Sequence, residues 1–364
     1  MAKIGVITFS QTLDNYGQVL QYLAIQEYLK SRGHEVSLIR FSYSANFLKR
    51  ICRKTKKMVK HIIKKEKKKE PTTFDKWGEI TEKYELLHPR NFEKFRNRFC
   101  NITYLNQPSY KRNFDAFVVG SDQIWSSLSP LSYLSFTKYG EVKFSLAPSI
   151  GKMKVDDQVI QQVKTWLKDF KFITCREQSG VDMCRRAGRN DAKCILDPTF
   201  LLSKNEYLKY SVSDANVEKY IFVYMLGADI TVELAEIYDF AQKEGLVVKY
   251  VASQGREDEY PKEWATIPEW ISLLANAKYV FTNSFHGMAL SCIFQKQFLV
   301  FPIIGEMKGM NERIFTIANE FNCMERIYEN DLNKVKLPID YKQIQAKIDD
   351  NRNVVNQQLD SIHY

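Results

Sequence analysis

The chain has 364 residues, 45% hydrophobic and 13% aromatic, enough for two ordinary domains with full cores. No run of 18 apolar residues occurs, which excludes a membrane-spanning helix. The net charge of +10 is local: residues 49–69 hold 12 Lys or Arg against one Glu, leaving −1 for the remainder.

The opening MAKIGVITFS enters a strand without the basic region and small-residue cleavage site of a secretory signal. Seven cysteines, scattered and without CxxC spacing, suit reduced thiols in a cytoplasm. No HExxH, zinc-type pairing or calcium loop is present, so no built-in metal is expected.

KIGVITF reads as an apolar strand. A helix follows, with apolar positions 16, 19, 20, 23, 24 and 28 and a stop at Arg32-Gly33. VSLIRF is the next strand, completing a βαβ opening. In residues 47–69, Phe47, Leu48, Ile51, Met58, Val59, Ile62 and Ile63 recur near helical spacing. Lys49, Arg50, Arg53, Lys56, Lys57, Lys60 and Lys64 take the other positions, as in a basic helix resting on an anionic membrane. A solvated loop is the alternative. Nucleic-acid binding is not expected, because interleaved aromatics are lacking.

After a Tyr- and Phe-rich region, strands are expected at 115–120, 142–150 and 171–177, with helices at 156–169 and 179–187. CILDPTFLL, residues 194–202, reads as the last strand of this half. The second half alternates strands at 220–227, 247–252, 279–283 and 298–302 with helices near 231–244 and 268–276. The fold class is therefore α/β, two doubly wound Rossmann-like domains facing a central cleft. The expected boundaries are 1–202 for the acceptor-side domain with its basic insertion 47–70, 203–340 for the domain carrying His286, and 341–364 for a closing helix.

Polar clusters fall at the carboxyl ends of these strands, where open α/β sheets bind ligands. In TNSFHGMALS (282–291), Asn283 and Ser284 suit a helix start, and Gly287 permits close backbone approach. His286 then lies at the positive end of a helix, as an acid that titrates near neutrality or as a structural cap. Arg176 in TCREQSG suits a carboxylate or phosphate, or else an ordinary pair with Glu177. In GSDQIW, Ser121, Asp122 and Gln123 offer polar groups and Trp125 a stacking face, unless Asp122 is a cap and Trp125 core. Asn15, Tyr16, Gly17 and Gln18 line the same crevice or form a plain βα turn. Lys308 and Arg313 are cations near the cleft, or part of a solvated face.

NYGQVLQ, VGSDQIW, SIG (149–151), REQSG, LDPTFLL and TNSFHGMALS, in this order, resemble the polysaccharide pyruvyl transferase family. The resemblance spans nearly the whole chain and implies a fold similar to the two-domain GT-B glycosyltransferases. It also implies transfer of pyruvyl from phosphoenolpyruvate to a sugar as a cyclic ketal, with no metal or nucleotide. The family's catalytic histidine falls on His286, and its donor-anchoring arginine on Arg176. Many members carry Arg-Leu-His-Gly where this chain has Ser284-Phe285-His286-Gly287, leaving Arg313 or Lys308 to supply the missing cation. Ser284, Asn283 and Gly287 complete the expected donor site. Asp122 is expected to be the second catalytic residue, orienting the acceptor or taking its proton, with the acceptor held by Asn15, Tyr16, Gly17, Gln18, Ser121, Gln123 and Trp125. The expected acceptor is a lipid-linked capsular or exopolysaccharide precursor at the inner membrane face. The rival readings are a GT-B glycosyltransferase using a nucleotide sugar and a non-catalytic glycan-binding assembly protein.

Overall fold

The computed structural model describes residues 1–364 except 10, 42–72, 106–113, 127–128, 138–140, 152–154, 214–217 and 254. The cations expected to meet a membrane, Lys49 to Lys64, lie outside the described residues.

Strands that are apolar on both faces belong in parallel sheets covered by helices. Five strands, β1 (Lys3–Ile7), β2 (Glu35–Phe41), β3 (Ile102–Leu105), β4 (Ala116–Val119) and β5 (Val142–Ser145), form one parallel sheet in the order β3-β2-β1-β4-β5, and the inner strand β4 is the most fully apolar of them. A two-stranded parallel pair, β6 (Thr174–Cys175) and β7 (Lys193–Cys194), belongs to the same half. The second sheet comprises β8 (Tyr220–Tyr224), β9 (Val247–Tyr250), β10 (Tyr279–Thr282) and β11 (Gln297–Val300), in the order β11-β10-β8-β9, again parallel. Strand order reverses between β1 and β4 in the first sheet and between β8 and β10 in the second. Such reversals open the crevices that bind ligands.

The covering helices in the first half are α1 (Tyr16–Ser31), α2 (Thr73–Leu87), α3 (Phe92–Phe99), α4 (Asp157–Leu167) and α5 (Gln178–Arg186). They are followed by α6 (Lys204–Leu208), α7 (Leu234–Lys243), α8 (Ile267–Asn276), α9 (Phe285–Ile293), α10 (Asn311–Glu320) and α11 (Tyr341–Asp360).

Helix α1 is buried almost all round, which marks a helix packed on two sides. Tyr22, Ile25 and Leu29 join Ile4, Val6 and Leu38 beneath the first sheet. Val19, Leu20 and Leu23 share a cluster with Trp270, Met288 and Leu290 of the second half. The Tyr16 ring stacks on Trp270 at 5.2 Å, and its hydroxyl donates to the Ala265 carbonyl at 2.6 Å. One helix thus serves both cores.

Helix α11 also spans the halves. Ile344 and Ile348 enter the shared cluster, while Val355 and Leu359 reach the first core. Asn351 Oδ1 accepts from the Leu196 amide at 2.8 Å, and Asn356 Oδ1 accepts from Tyr28 Oη at 2.6 Å. On another side, α2 reaches across: Lys83 Nζ and Tyr84 Oη donate to Glu257 Oε1 at 2.6 and 3.0 Å.

The segment 194–202, read above as a strand, pairs only through Cys194 and then turns into a short 3₁₀ helix, Pro198–Leu201. Pro198 has no N–H for a ladder. Asp197 caps the turn by accepting from the Thr199 amide at 2.9 Å.

Candidate active site

Behind β10 the chain turns sharply. Thr282 Oγ1 donates to the Tyr224 carbonyl (2.6 Å) and accepts from the Ser284 amide (3.0 Å). The Asn283 amide group is committed to the Leu226 backbone, accepting from N at 2.6 Å and donating to O at 2.9 Å. Ser284 Oγ accepts from the Gly287 amide at 3.4 Å as the α9 N-cap. A β-carbon at Gly287 would overlap Thr282 Oγ1, so this glycine is required by helix-on-strand packing rather than by room for a ligand. Asn283, Ser284 and Gly287, expected to hold the donor, instead build the turn that aims His286.

His286 is 7% exposed. Its ring covers Gly17 at the start of α1 so closely that any β-carbon there would overlap Nδ1. Gly17 is thus the seat of the histidine, not a surface for the acceptor. Nε2 lies 4.0 Å from Asp197 Oδ1 and has no hydrogen-bond partner.

Arg176 leaves the end of β6 into a ring of acids. Its Nη1 donates to Asp197 Oδ2 at 2.9 Å, while Nη2 is 3.7 Å from Asp122 Oδ1 and Nε 3.9 Å from Glu177 Oε2. Nε and Nη2 are buried without partners. The guanidinium stacks over the Phe285 ring at 4.7 Å. Arg313, from the first turn of α10, approaches the same ring at 5.6 Å and places Nη1 4.0 Å from Asp122 Oδ1; its Nε is also unpartnered. Asp122 holds its position with a φ of 53°, which Asp tolerates better than most residues.

Asp197 is the hub, and sequence reasoning missed it. Fully buried, it accepts from Arg176, from Ser121 Oγ (2.6 Å) and from the Thr199 amide. Burial pushes its carboxyl up, but Arg176, His286 and these hydrogen bonds outweigh that and hold it below the usual range. The signal was an acid inside the apolar run CILDPTFLL. Glu177, also missed as a site residue, accepts from the Ile150 amide at 2.6 Å through Oε1 and ties SIG to the centre.

Burial pushes the His286 imidazole down to about 4; Asp197 and Asp122 pull it up, and the two guanidiniums push it down. Burial and the neighbouring Arg176 likewise lower Arg313 to about 10.

The expected acceptor residues divide. Tyr16 is core, stacked on Trp270, and Trp125 is core as well: its ring stacks on Tyr133 at 5.0 Å and Nε1 donates to the Ser132 carbonyl. Neither has a free face for a sugar. Ser121 spends its hydroxyl on Asp197 and the Ala147 carbonyl. Gln123 lies over Gly151, and Asn15 caps α1 by accepting from the Gln18 amide. Gln18 lines an open cavity. Lys308 is exposed on the 3₁₀ segment Gly305–Met310, with no described contact to the cluster.

Two doubly wound parallel sheets, with a histidine and two arginines gathered at their strand ends, define an α/β protein of two Rossmann-like halves. The model of the polysaccharide pyruvyl transferase family matches residues 15–303, and the chain belongs to that family of transferases. Among solved structures it is similar to the UDP-N-acetylglucosamine 2-epimerase from Rickettsia bellii, at 11% identity, over 99% of this chain and 96% of that one, with a TM-score of 0.49. It is also similar to the Methanocaldococcus jannaschii UDP-GlcNAc 2-epimerase in complex with UDP-GlcNAc and UDP, at 13% identity, over 96% and 94%, with a TM-score of 0.45. A search of curated proteins finds no match.

Proposed function

We propose that the protein moves the pyruvyl unit of phosphoenolpyruvate onto a sugar of a lipid-linked capsular or exopolysaccharide precursor, forming a cyclic ketal. The observation that carries this is a set of buried nitrogens without partners, Arg176 Nε and Nη2, Arg313 Nε and His286 Nε2, gathered around Asp122, Asp197 and Phe285. Each unsatisfied buried donor costs about 1–3 kcal/mol, a cost that a ligand offering acceptors removes. Two guanidiniums beside an acid match a small molecule carrying a carboxylate and a phosphate.

In this reading His286 protonates the methylene carbon of the donor, making C2 electrophilic. A sugar hydroxyl attacks C2, the C2–O bond to phosphate breaks, and a second hydroxyl closes the ketal. Of the two hydroxyl protons lost, one replaces the proton given to carbon and the other leaves with phosphate. Asp122, beside both arginines, orients the acceptor.

The free site explains when His286 becomes an acid. Asp122, Asp197 and Glu177 against Arg176 and Arg313 leave one formal negative charge when the imidazole is neutral. An arriving carboxylate and phosphate offset the arginines that oppose imidazolium, and His286 is charged in the complex. Between the free-site value of about 4 and the ordinary 6.5, donor binding therefore takes up a proton at His286. Calorimetry in buffers of unequal ionisation heat reads this uptake as the difference between wild type and His286→Gln. No difference, or net release, removes the charging step.

The function itself is tested with phosphoenolpyruvate and a panel of lipid-linked sugars, scoring pyruvylated product by mass spectrometry and released phosphate. Stabilisation by nucleotide sugars but not by phosphoenolpyruvate would favour the glycosyltransferase rival.

No helix among the described residues is long and apolar enough to cross a membrane. Peripheral attachment at the inner membrane face is proposed from the sequence of residues 49–69, at roughly 1 kcal/mol per near-surface cation. Deleting that segment is expected to release the protein from anionic vesicles while sparing activity on a soluble acceptor. Undiminished vesicle binding would refute the attachment.

A further inference from the structure

A cavity of about 730 Å³ opens at the carboxyl ends of β1 and β2, within the size range of small-molecule sites. It adjoins the reaction centre. Gln18, on its wall, follows the glycine on which His286 rests. Thr8, on its floor, accepts from Gln21 Nε2 at 2.9 Å; Gln21 Oε1 accepts from the Ser121 amide at 2.7 Å, and Ser121 holds Asp197.

The lining combines hydroxyl, amide and carboxylate groups with the rings of Phe9 and Phe41, a mixture suited to a sugar. Its charges are the informative part. Arg40 is 7% exposed and bound by both oxygens of Glu93, at 2.7 and 3.3 Å. Asp14 and Glu82 face the cavity with no second cation among its described lining residues. Counting Glu93 together with Arg96, which binds the same carboxylate at 2.7 Å, the described groups sum to a formal −1, with both lining carboxylates, Asp14 and Glu82, set against an acidic ligand. Asp14 is 2% exposed and has no part in the chemistry above. Its oxygens accept from the Thr12 and Thr81 hydroxyls, and each keeps a lone pair for a further donor.

We propose that this cavity seats the terminal ring of the acceptor, an uncharged pyranoside, and that Asp14 selects it by accepting from the ring's hydroxyls. The inference rests on the transferase reading but is tested apart from it. Saturation-transfer NMR on the full chain would use methyl glucoside, galactoside, mannoside and N-acetylglucosaminide, with methyl glucuronide as the acidic probe. Phosphoenolpyruvate binding would be followed separately by thermal shift. At least one neutral glycoside is expected to bind and the glucuronide at least tenfold more weakly. Asp14→Asn, and Leu131→Trp, which fills the cavity from its far wall, are expected to weaken the neutral glycoside tenfold or more and to keep the phosphoenolpyruvate shift. If Asp14→Asn does not fold, Leu131→Trp decides. Preference for the glucuronide, no neutral binding, or unaltered binding in the folded variants overturns the proposal. Absence of a phosphoenolpyruvate shift in wild type counts against the transferase reading alone.

Discussion

Replacing His286 by alanine is expected to leave a folded protein that still binds phosphoenolpyruvate, the proposed donor, and turns it over at least a hundredfold more slowly. The expectation of folding rests on the ring's bonding: Nε2 has no hydrogen-bond partner, so truncation leaves no partner at that nitrogen unsatisfied. The ring touches Gly17 and Phe285, and its loss leaves a void at the junction of the halves rather than an unpaired charge. Donor binding persists because Arg176 and Arg313 stay in place. Turnover falls because a positioned acid contributes about 10²–10⁴-fold. Phosphate release, read beside a melting curve, checks both parts. Wild-type turnover in a folded His286→Ala protein ends the proposed mechanism.

Arg176→Lys has the second largest expected effect. Alanine at this position would leave Asp197 buried without its counter-charge, a cost of about 3–5 kcal/mol that confuses donor loss with unfolding. Lysine keeps a positive charge but not the fork. Arginine spans three acids at once, binding Asp197 at 2.9 Å while Nη2 and Nε remain for a ligand. A single ammonium satisfies Asp197 or the donor, but not both with planar geometry. The affinity for phosphoenolpyruvate should therefore drop ~10- to 100-fold, or about 1.4–2.8 kcal/mol. Titration calorimetry decides the matter, and undiminished affinity in a folded variant takes Arg176 out of the donor site.

The α/β architecture was legible because its inner strands, β4, β8 and β10, are buried on both faces. AFVV carries no polar position and YVFT has none before its last residue, Thr282, and short apolar runs of that kind suit a covered parallel sheet. Strand ends then pointed to Asp122, Arg176 and His286, which the structure brings together. What stayed hidden depends on distant partners. Asp197 gathers Ser121 from 76 positions away and Arg176 from 21, and no local pattern encodes that meeting. Trp125 read as a stacking face for a sugar and Tyr16 as a crevice wall; only the folded chain shows Tyr133 and Trp270 covering them. The same holds for Gly17, whose missing side chain answers a ring contributed by the other half.

Because α1 lies in both apolar cores, the halves cannot swing apart without wetting Tyr16, Val19, Leu20 and Leu23 together with the faces they cover. Wetting of that kind opposes motion in proportion to the apolar area exposed, at roughly 25 cal/mol per Å². The pairing of His286 with Gly17 is therefore completed as the chain folds rather than assembled anew around each substrate. Any ligand entry that parted the halves at α1 would carry that cost.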